Sequence, residues 1–171
     1  GMLFLHSKDR VLTMWMANTI LPLDMLFIAA DGKIARIQEQ TIPQSREVIS
    51  SRKRVRAVLE LNAGTVRKHA ISVGDRVPDF EVTLDGRTWK LSELRENRDM
   101  TLDGTLVLTF WCSFCHSCRD MEQELNRLAR QYRGKAGVIA LDASAGETRE
   151  SVAAFAKENE LTMPIALNAH G

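Results

Sequence analysis

The chain has 171 residues, of which 44% are hydrophobic and 26% are charged, a balance typical of globular proteins that excludes disordered and collagen-like chains. No run of residues approaches the ~18 consecutive apolar positions of a membrane-spanning helix, so no transmembrane segment is predicted. The formal net charge of +1 is unevenly divided, because residues 1–77 carry 12 basic and 7 acidic side chains whereas residues 78–171 carry 11 and 15.

Residues 1–77 contain short apolar or alternating runs of the kind that favours strands. These runs lie at residues 11–16, 25–29, 33–37 and 55–61. Asp31-Gly32 separates the second run from the third, and this pair tolerates positive φ and closes tight hairpins. A short helix is predicted at residues 65–69, and the segment as a whole is predicted to be mainly β.

Three stretches of this segment match a family pattern. They are Trp15-Met16-Ala17-Asn18-Thr19-Ile20-Leu21-Pro22-Leu23-Asp24-Met25-Leu26-Phe27-Ile28, Val58-Leu59-Glu60-Leu61-Asn62-Ala63-Gly64 and Val73-Gly74-Asp75. Residues 1–77 thereby resemble the family called domain of unknown function 192, which implies a small β-sandwich-like domain of unknown role. Members of that family usually carry a further segment before the stretch that matches Gly1-Met2-Leu3-Phe4, so the first strands are expected to be missing.

From Pro78 onward, predicted strands and helices alternate. A hairpin is predicted at residues 82–89, a turn at 91–94, buried strands at 105–111 and 137–142, and helices at 119–133 and 148–160. The order strand, helix, strand, helix predicts parallel pairing, so residues 78–171 are predicted to form an α/β domain.

Each of the two longer predicted helices has one apolar stripe, which we expect to face the sheet. The stripes consist of Met121, Leu125, Leu128, Ala129 and Tyr132 on the first helix, and of Val152, Phe155 and Ala156 on the second.

All three cysteines lie within seven residues, so they cannot link distant parts of the chain. Cys115 and Cys118 form a Cys-x-x-Cys motif between a buried strand and a helix. The first thiol of such a motif lies at the helix N-terminus, where the helix dipole stabilises a thiolate, so Cys115 is the predicted nucleophile. Cys118, one helical turn further on, is the predicted resolving thiol. Protonated His116 would stabilise the thiolate further.

A longer block surrounds this motif. It comprises residues 107–125, with Trp111-Cys112-Ser113-Phe114-Cys115-His116-Ser117-Cys118-Arg119 at its centre, preceded by Pro78-Asp79-Phe80, Asp85-Gly86 and Leu91-Ser92-Glu93-Leu94. Residues 74–171 thereby resemble the redoxin and TlpA-like branch of the thioredoxin superfamily.

The resemblance implies a thiol-disulfide oxidoreductase that exchanges disulfides with protein or small thiol partners and uses no cofactor beyond its own dithiol. The roles of the two motif cysteines carry over to Cys115 and Cys118. Trp111, Phe114 and His116, which lie beside these cysteines, are predicted to modulate them. The same resemblance favours a location in the bacterial envelope.

The chain departs from that branch at several positions. His116 and Ser117 replace the usual two prolines inside the motif, and Gln123 stands where a helix-kinking proline is common. Cys112 occupies a position usually held by a small residue. Met163-Pro164 matches the proline of an inserted strand, so the strand with the cis-proline and the last helix are expected to be missing.

Other roles of the cysteines stay open. Cys112 adjoins a buried strand and is expected to pack as a small hydrophobe, although it could also act as an extra thiol. In a peroxiredoxin-type peroxidase, Cys112 or Cys115 would attack peroxide, and Thr109-x-x-Cys112 weakly resembles the motif of that family. In a non-enzymatic binding module, the cysteines and His116 would hold a metal or stay passive.

The basic run Arg52-Lys53-Arg54 could attract nucleic acid or anionic lipid. No aromatic residues interleave with it and no nucleic-acid motif accompanies it, so a solvated strand end is favoured and no nucleic-acid partner is predicted.

Overall fold

A computed structural model describes residues 1–115, 119–144 and 146–168. The chain divides into two compact units, Gly1–Pro78 and Asp79–Gly171. No helix in the described part of the chain is long and apolar enough to cross a membrane.

The first unit is mainly β, as predicted. Its elements are β1 (Met2–Met14), β2 (Leu23–Ile28), β3 (Ile34–Gln38), β4 (Ile49–Asn62) and the short helix α1 (Thr65–Lys68). The strands pair in the order β3-β2-β4-β1, and every pair is antiparallel.

The hairpin predicted at Asp31-Gly32 joins β2 to β3. The Asp31 carboxylate accepts a hydrogen bond from the backbone N–H of Lys33 at 3.0 Å, and Gly32 has φ +81°. A side chain is strained at that φ, so glycine suits this turn.

One cluster of buried apolar side chains forms a core of the first unit. It consists of Leu12, Met16, Met25, Phe27, Val55 and Val58. Asp24 is fully buried among these strands, and its two carboxylate oxygens accept hydrogen bonds from the backbone N–H groups of Gln40 and Val66 at 2.9 and 3.0 Å. Asp24 therefore has a structural role, since it ties a loop and the start of α1 to β2.

The half-buried carboxyl group of Glu60 in β4 gives a testable pH dependence. Burial raises the pKa of Glu60 to about 7, and the nearby Gly1 amino group only partly opposes this rise. The folded state therefore keeps a proton that the unfolded chain loses above a pKa of about 4.3. The free energy of unfolding should then fall as the pH rises from 4.5 to about 7, and level off above that value.

The total decrease should be roughly 3–4 kcal/mol, because the pKa rises from 4.5 to about 7 and each pKa unit corresponds to about 1.4 kcal/mol. Urea unfolding at a series of pH values measures it. E60Q cannot ionise and should remove the contribution of Glu60 to the slope, whereas E47Q, which changes an exposed carboxylate in the same unit, should keep it. An unchanged slope in E60Q would contradict the assignment.

The second unit has the α/β architecture predicted for it. Its elements are β5 (Glu81–Leu84), β6 (Arg87–Lys90), α2 (Leu91–Glu96), β7 (Leu106–Trp111), α3 (Arg119–Gln131), β8 (Gly137–Asp142), α4 (Arg149–Glu158) and β9 (Ile165–Asn168). The strand order is β7-β8-β9-β5-β6, in which β7, β8 and β9 are parallel and the hairpin strands β5 and β6 are antiparallel.

The turn predicted at residues 91–94 is the first part of the six-residue helix α2. Glu93 accepts a hydrogen bond from the backbone N–H of Lys90 at 2.8 Å, and Asp79 accepts two from Ser92 at 2.7 and 3.0 Å. These carboxylates satisfy donors that a helix start leaves unpaired, which is why so short a segment is helical.

The predicted apolar stripe of α3 is partly wrong. Met121 and Tyr132 are 46% and 43% exposed, whereas Glu122 and Asn126 are buried beside Leu125. The hydrophobic pattern misplaces this face because both polar side chains find buried hydrogen-bond partners. The stripe of α4 faces inward as predicted, with Val152 buried and the other two members half-buried.

Candidate functional site

The cysteine segment follows the carboxyl end of β7, which ends at Trp111, and helix α3 is described from Arg119 onward. A turn forms after the strand, in which the backbone N–H of Cys115 donates to the carbonyl oxygen of Cys112 at 3.2 Å. Cys118 and His116 lie outside the described residues, so their geometry stays a prediction. The described part nevertheless has the strand, turn and helix in the predicted order.

The loop after β8 lies beside this segment, because β7 and β8 are parallel and their carboxyl ends meet at the same edge. Trp111 and Asp142 are opposite each other in the register, and the N–H of Ala143 donates to the carbonyl of Trp111 at 2.9 Å. The N–H of Ser113 donates to Glu147 Oε2 at 3.1 Å. Glu147 thus belongs to the site. In the sequence, the only feature that indicates a role for Glu147 is its position just after the predicted buried strand at residues 137–142.

Two carboxyl groups and one hydroxyl form a hydrogen-bonded cluster at this edge. Ser144 Oγ lies 2.6 Å from Asp142 Oδ1 and 2.7 Å from Glu147 Oε2. A hydroxyl group has only one hydrogen, so Ser144 can donate it to only one of the two carboxyl groups at a time.

The pKa values of the two carboxyl groups are shifted in opposite directions. Burial raises the pKa of Asp142, whereas the pKa of Glu147 is lowered because hydrogen bonds from Ser113 and Ser144 outweigh the effect of burial. Glu147 is therefore the more acidic of the two groups.

Both carboxyl groups act on Cys112, which is half-buried. Burial raises the pKa of the Cys112 thiol, and Glu147 and Asp142 raise it further by repelling a thiolate. Cys112 thus stays a thiol near neutral pH, which makes it a poor nucleophile.

The aromatic residues beside the cysteines differ in their surroundings. Trp111 is 4% exposed, its indole N–H donates to Glu122 Oε1 at 2.5 Å, and its ring centroid lies 5.2 Å from that of Phe155 in α4. The bond to Glu122 joins the strand before the cysteines to the helix after them. Phe114 is 63% exposed, so it can contact a partner molecule.

Among the residues that the structure describes, no group of three or more His, Cys, Asp or Glu side chains is placed to hold a metal ion.

Two family models match the chain. The AhpC/TSA family model matches residues 73–171, and the model of domain of unknown function 192, described as "Uncharacterized ACR", matches residues 1–78. The two resemblances drawn from the sequence are thereby confirmed.

Individual curated relatives match part of the chain. Thiol-disulfide oxidoreductase ResA of Geobacillus kaustophilus is 34% identical over 102 residues, which are 59% of this chain and 54% of that protein. Thioredoxin-like protein YneN of Bacillus subtilis is 30% identical over 103 residues, which are 59% of this chain and 56% of that protein. The chain therefore spans about half the length of these curated relatives.

Among the similar solved structures is a protein of unknown function from Novosphingobium aromaticivorans, with 32% sequence identity and a TM-score of 0.44, and the match covers 44% of this chain and 54% of that one.

Proposed function

Because the chain belongs to the AhpC/TSA family, we propose that its second unit is a thiol-disulfide oxidoreductase that works through Cys115 and Cys118. The main support is that the family match includes a Cys-x-x-Cys motif lying between the carboxyl end of β7 and helix α3. A thiol in front of a helix N-terminus is stabilised as a thiolate, and the thiolate is the reactive form.

The proposed reaction transfers two electrons to a disulfide. The Cys115 thiolate attacks one sulfur of the substrate disulfide, and the other substrate sulfur leaves as a thiolate. Cys118 then attacks Cys115 in this mixed disulfide, which releases the second substrate sulfur and leaves a Cys115–Cys118 disulfide. An external dithiol reduces that disulfide by the reverse sequence, so the cycle needs no bound cofactor.

The surface near the motif suits a protein substrate. Phe114 is 63% exposed immediately before Cys115, and Met121 is 46% exposed near the start of α3. Both are large and apolar, and a polypeptide that carries a disulfide can bury them on binding. Protein and small-molecule disulfides are therefore the proposed substrates.

Cys112 is not part of the proposed chemistry. Its raised pKa argues against the peroxidase alternative in which Cys112 attacks peroxide, because that attack needs a thiolate.

Turnover of a protein disulfide tests the proposal. The reduced chain should accelerate the reduction of insulin by dithiothreitol, and hydrogen peroxide consumption with the same reductant should stay near the uncatalysed rate. Chain whose thiols have been blocked with iodoacetamide is the control. Fast peroxide consumption without insulin reduction would overturn the proposal in favour of a peroxidase, and inactivity in both assays would favour a binding module.

The proposal includes a location in the bacterial envelope, for which the family resemblance is the only support. Fractionation of cells that express the full reading frame checks it, and recovery with cytosolic proteins would contradict it.

A further inference from the structure

We propose that the first unit binds a small organic anion, a carboxylate joined to an apolar group, in a cavity of about 400 Å³ beside β3 and the start of β4. Arg36 and Arg52 supply the positive charge of this cavity, and Met16, Ile42 and Val48 supply its apolar wall. The volume lies in the range of ligand pockets, which is roughly 300–1,000 Å³.

The first observation is a pair of arginines without a charged partner. Arg36 and Arg52 both line the cavity, and within the described residues neither forms an ion pair. Their mutual repulsion adds to burial in lowering the pKa of Arg36. An oxyanion between the two guanidinium groups would remove this repulsion and accept hydrogen bonds from them.

Arg36 is held in place by neighbouring groups. Its guanidinium donates to Gln38 Oε1 at 2.7 Å and to the carbonyl oxygen of Ser50, and it lies over the ring of Phe27 at 5.6 Å from the centroid. A side chain fixed in this way loses little conformational freedom when a ligand binds, which favours affinity.

Arg52 owes its position to an irregularity in β4. The register between β1 and β4 shifts between Val11 and Thr13, and Arg52 has φ +58°, a conformation that side chains rarely adopt. Such bulges redirect a side chain from its regular face. Without the shift in register, the regular alternation of side chains along β4 would not apply an extra change of face at Arg52.

Two serines stabilise this irregularity. Ser50 Oγ accepts a hydrogen bond from the N–H of Arg52 at 3.1 Å. The buried Ser51 hydroxyl donates to the carbonyl of Lys53 at 2.6 Å and accepts from the N–H of Leu12 at 3.0 Å. These bonds compensate for the missing ladder bonds, so the unusual conformation of Arg52 is built into the strand.

The apolar wall of the cavity indicates that the ligand also has an apolar part. Ile42 and Val48 are each 68% exposed at the cavity, although side chains of this kind are usually buried. Glu47 also lines the cavity, so the lining carries two positive charges and one negative charge. A singly charged head group with an apolar tail matches both features better than a multiply charged inorganic anion.

Calorimetric titration of the full chain tests the proposal, with hexanoate as the probe. Hexanoate should bind saturably to one site, and both hexanol, which lacks the charge, and inorganic phosphate, which lacks the tail, should bind at least tenfold more weakly. Absence of saturable hexanoate binding, or equal binding of hexanol or phosphate, would overturn the proposal. Tighter binding of hexyl phosphate than of hexanoate would overturn the choice of a carboxylate.

Variants locate the binding site. R52Q should weaken hexanoate binding about tenfold or more, since it removes one charge and the guanidinium fork. R54Q is the matched control, because Arg54 lies on the same strand but donates to the carbonyl oxygen of Asp9 outside the cavity lining. V48S tests the apolar wall and should weaken binding severalfold. Thermal melts show whether each variant is folded, and equal affinities of R52Q and R54Q would refute the site.

Discussion

Replacement of Cys115 by serine should abolish disulfide exchange, with the rate falling by several orders of magnitude to the uncatalysed level. A serine hydroxyl is not ionised near neutral pH and cannot form the mixed disulfide. Insulin reduction by dithiothreitol measures the loss. Retention of activity in C115S would show that another thiol is the nucleophile.

The other two cysteines distinguish the roles within the segment. C118S should still attack a substrate disulfide but should stall at the mixed disulfide, which mass spectrometry detects as an adduct on Cys115. C112S is the matched control and should stay active, because the pKa of Cys112 is already raised by burial and by its acidic neighbours. If C112S were inactive while C115S and C118S stayed active, Cys112 and not the Cys-x-x-Cys pair would carry the reaction.

The acidity of Cys115 supplies an independent measurement. Alkylation of the reduced chain across a pH series should label Cys115 first, with an apparent pKa below the ~8.5 of a free cysteine. Cys112 should react slowly until the pH is well above neutral. Preferential labelling of Cys118 would contradict the proposed order of attack.

The sequence predicted those strands and turns that depend only on the residue types within a short segment. The apolar run at residues 137–142 forms β8 with the predicted bounds. Asp85-Gly86 closes the β5–β6 hairpin, with φ values of 51° and 78° at its two residues. In both cases composition and backbone preference suffice, and no distant contact is needed.

Longer strands depended on contacts that the sequence does not display. β1 runs from Met2 to Met14, whereas only residues 11–16 were predicted as a strand. β4 begins at Ile49 and passes through the basic run that was predicted to be a solvated strand end. The two strands extend each other by antiparallel pairing, which outweighs the weak local preference of their polar residues.

The candidate site was predictable only in part. The Cys-x-x-Cys spacing predicts Cys115 as the nucleophile, but the carboxyl cluster of Asp142 and Glu147 arises because two parallel strands end side by side. Glu122 and Asn126 were missed for a different reason, since hydrophobic periodicity assigns polar residues to the solvent face. Their burial becomes favourable only through partners on other elements.

Asn126 should therefore be a large contributor to the stability of the second unit. It is 1% exposed, and its Oδ1 accepts hydrogen bonds from the N–H groups of Thr162 and Met163 at 2.8 and 3.1 Å and from the Thr162 hydroxyl at 2.9 Å. Its Nδ2 donates to the carbonyl of Glu160 at 3.0 Å. One amide thus ties α3 to the segment that leads into β9.

N126L should lower the free energy of unfolding by roughly 2 kcal/mol, because a buried polar group left without a partner costs about 1–3 kcal/mol. Leucine resembles asparagine in shape but can neither donate nor accept. Thr162 and Glu160 are exposed residues whose backbone and hydroxyl groups can turn to water, so the main cost falls on the buried N–H of Met163. Urea unfolding measures the total.

Q123L is the matched control for this measurement. Gln123 lies one turn earlier on α3 and donates to the carbonyl of Asn159 at 3.3 Å, but this bond is exposed, so its loss should cost less than about 1 kcal/mol. Amide hydrogen exchange then locates the change: N126L should speed exchange in β9, whose anchoring segment it releases, while Q123L should leave β9 protected. Equal stability of N126L and Q123L would mean that water replaces the Asn126 amide at no cost, and that α3 and β9 are held together by apolar packing alone.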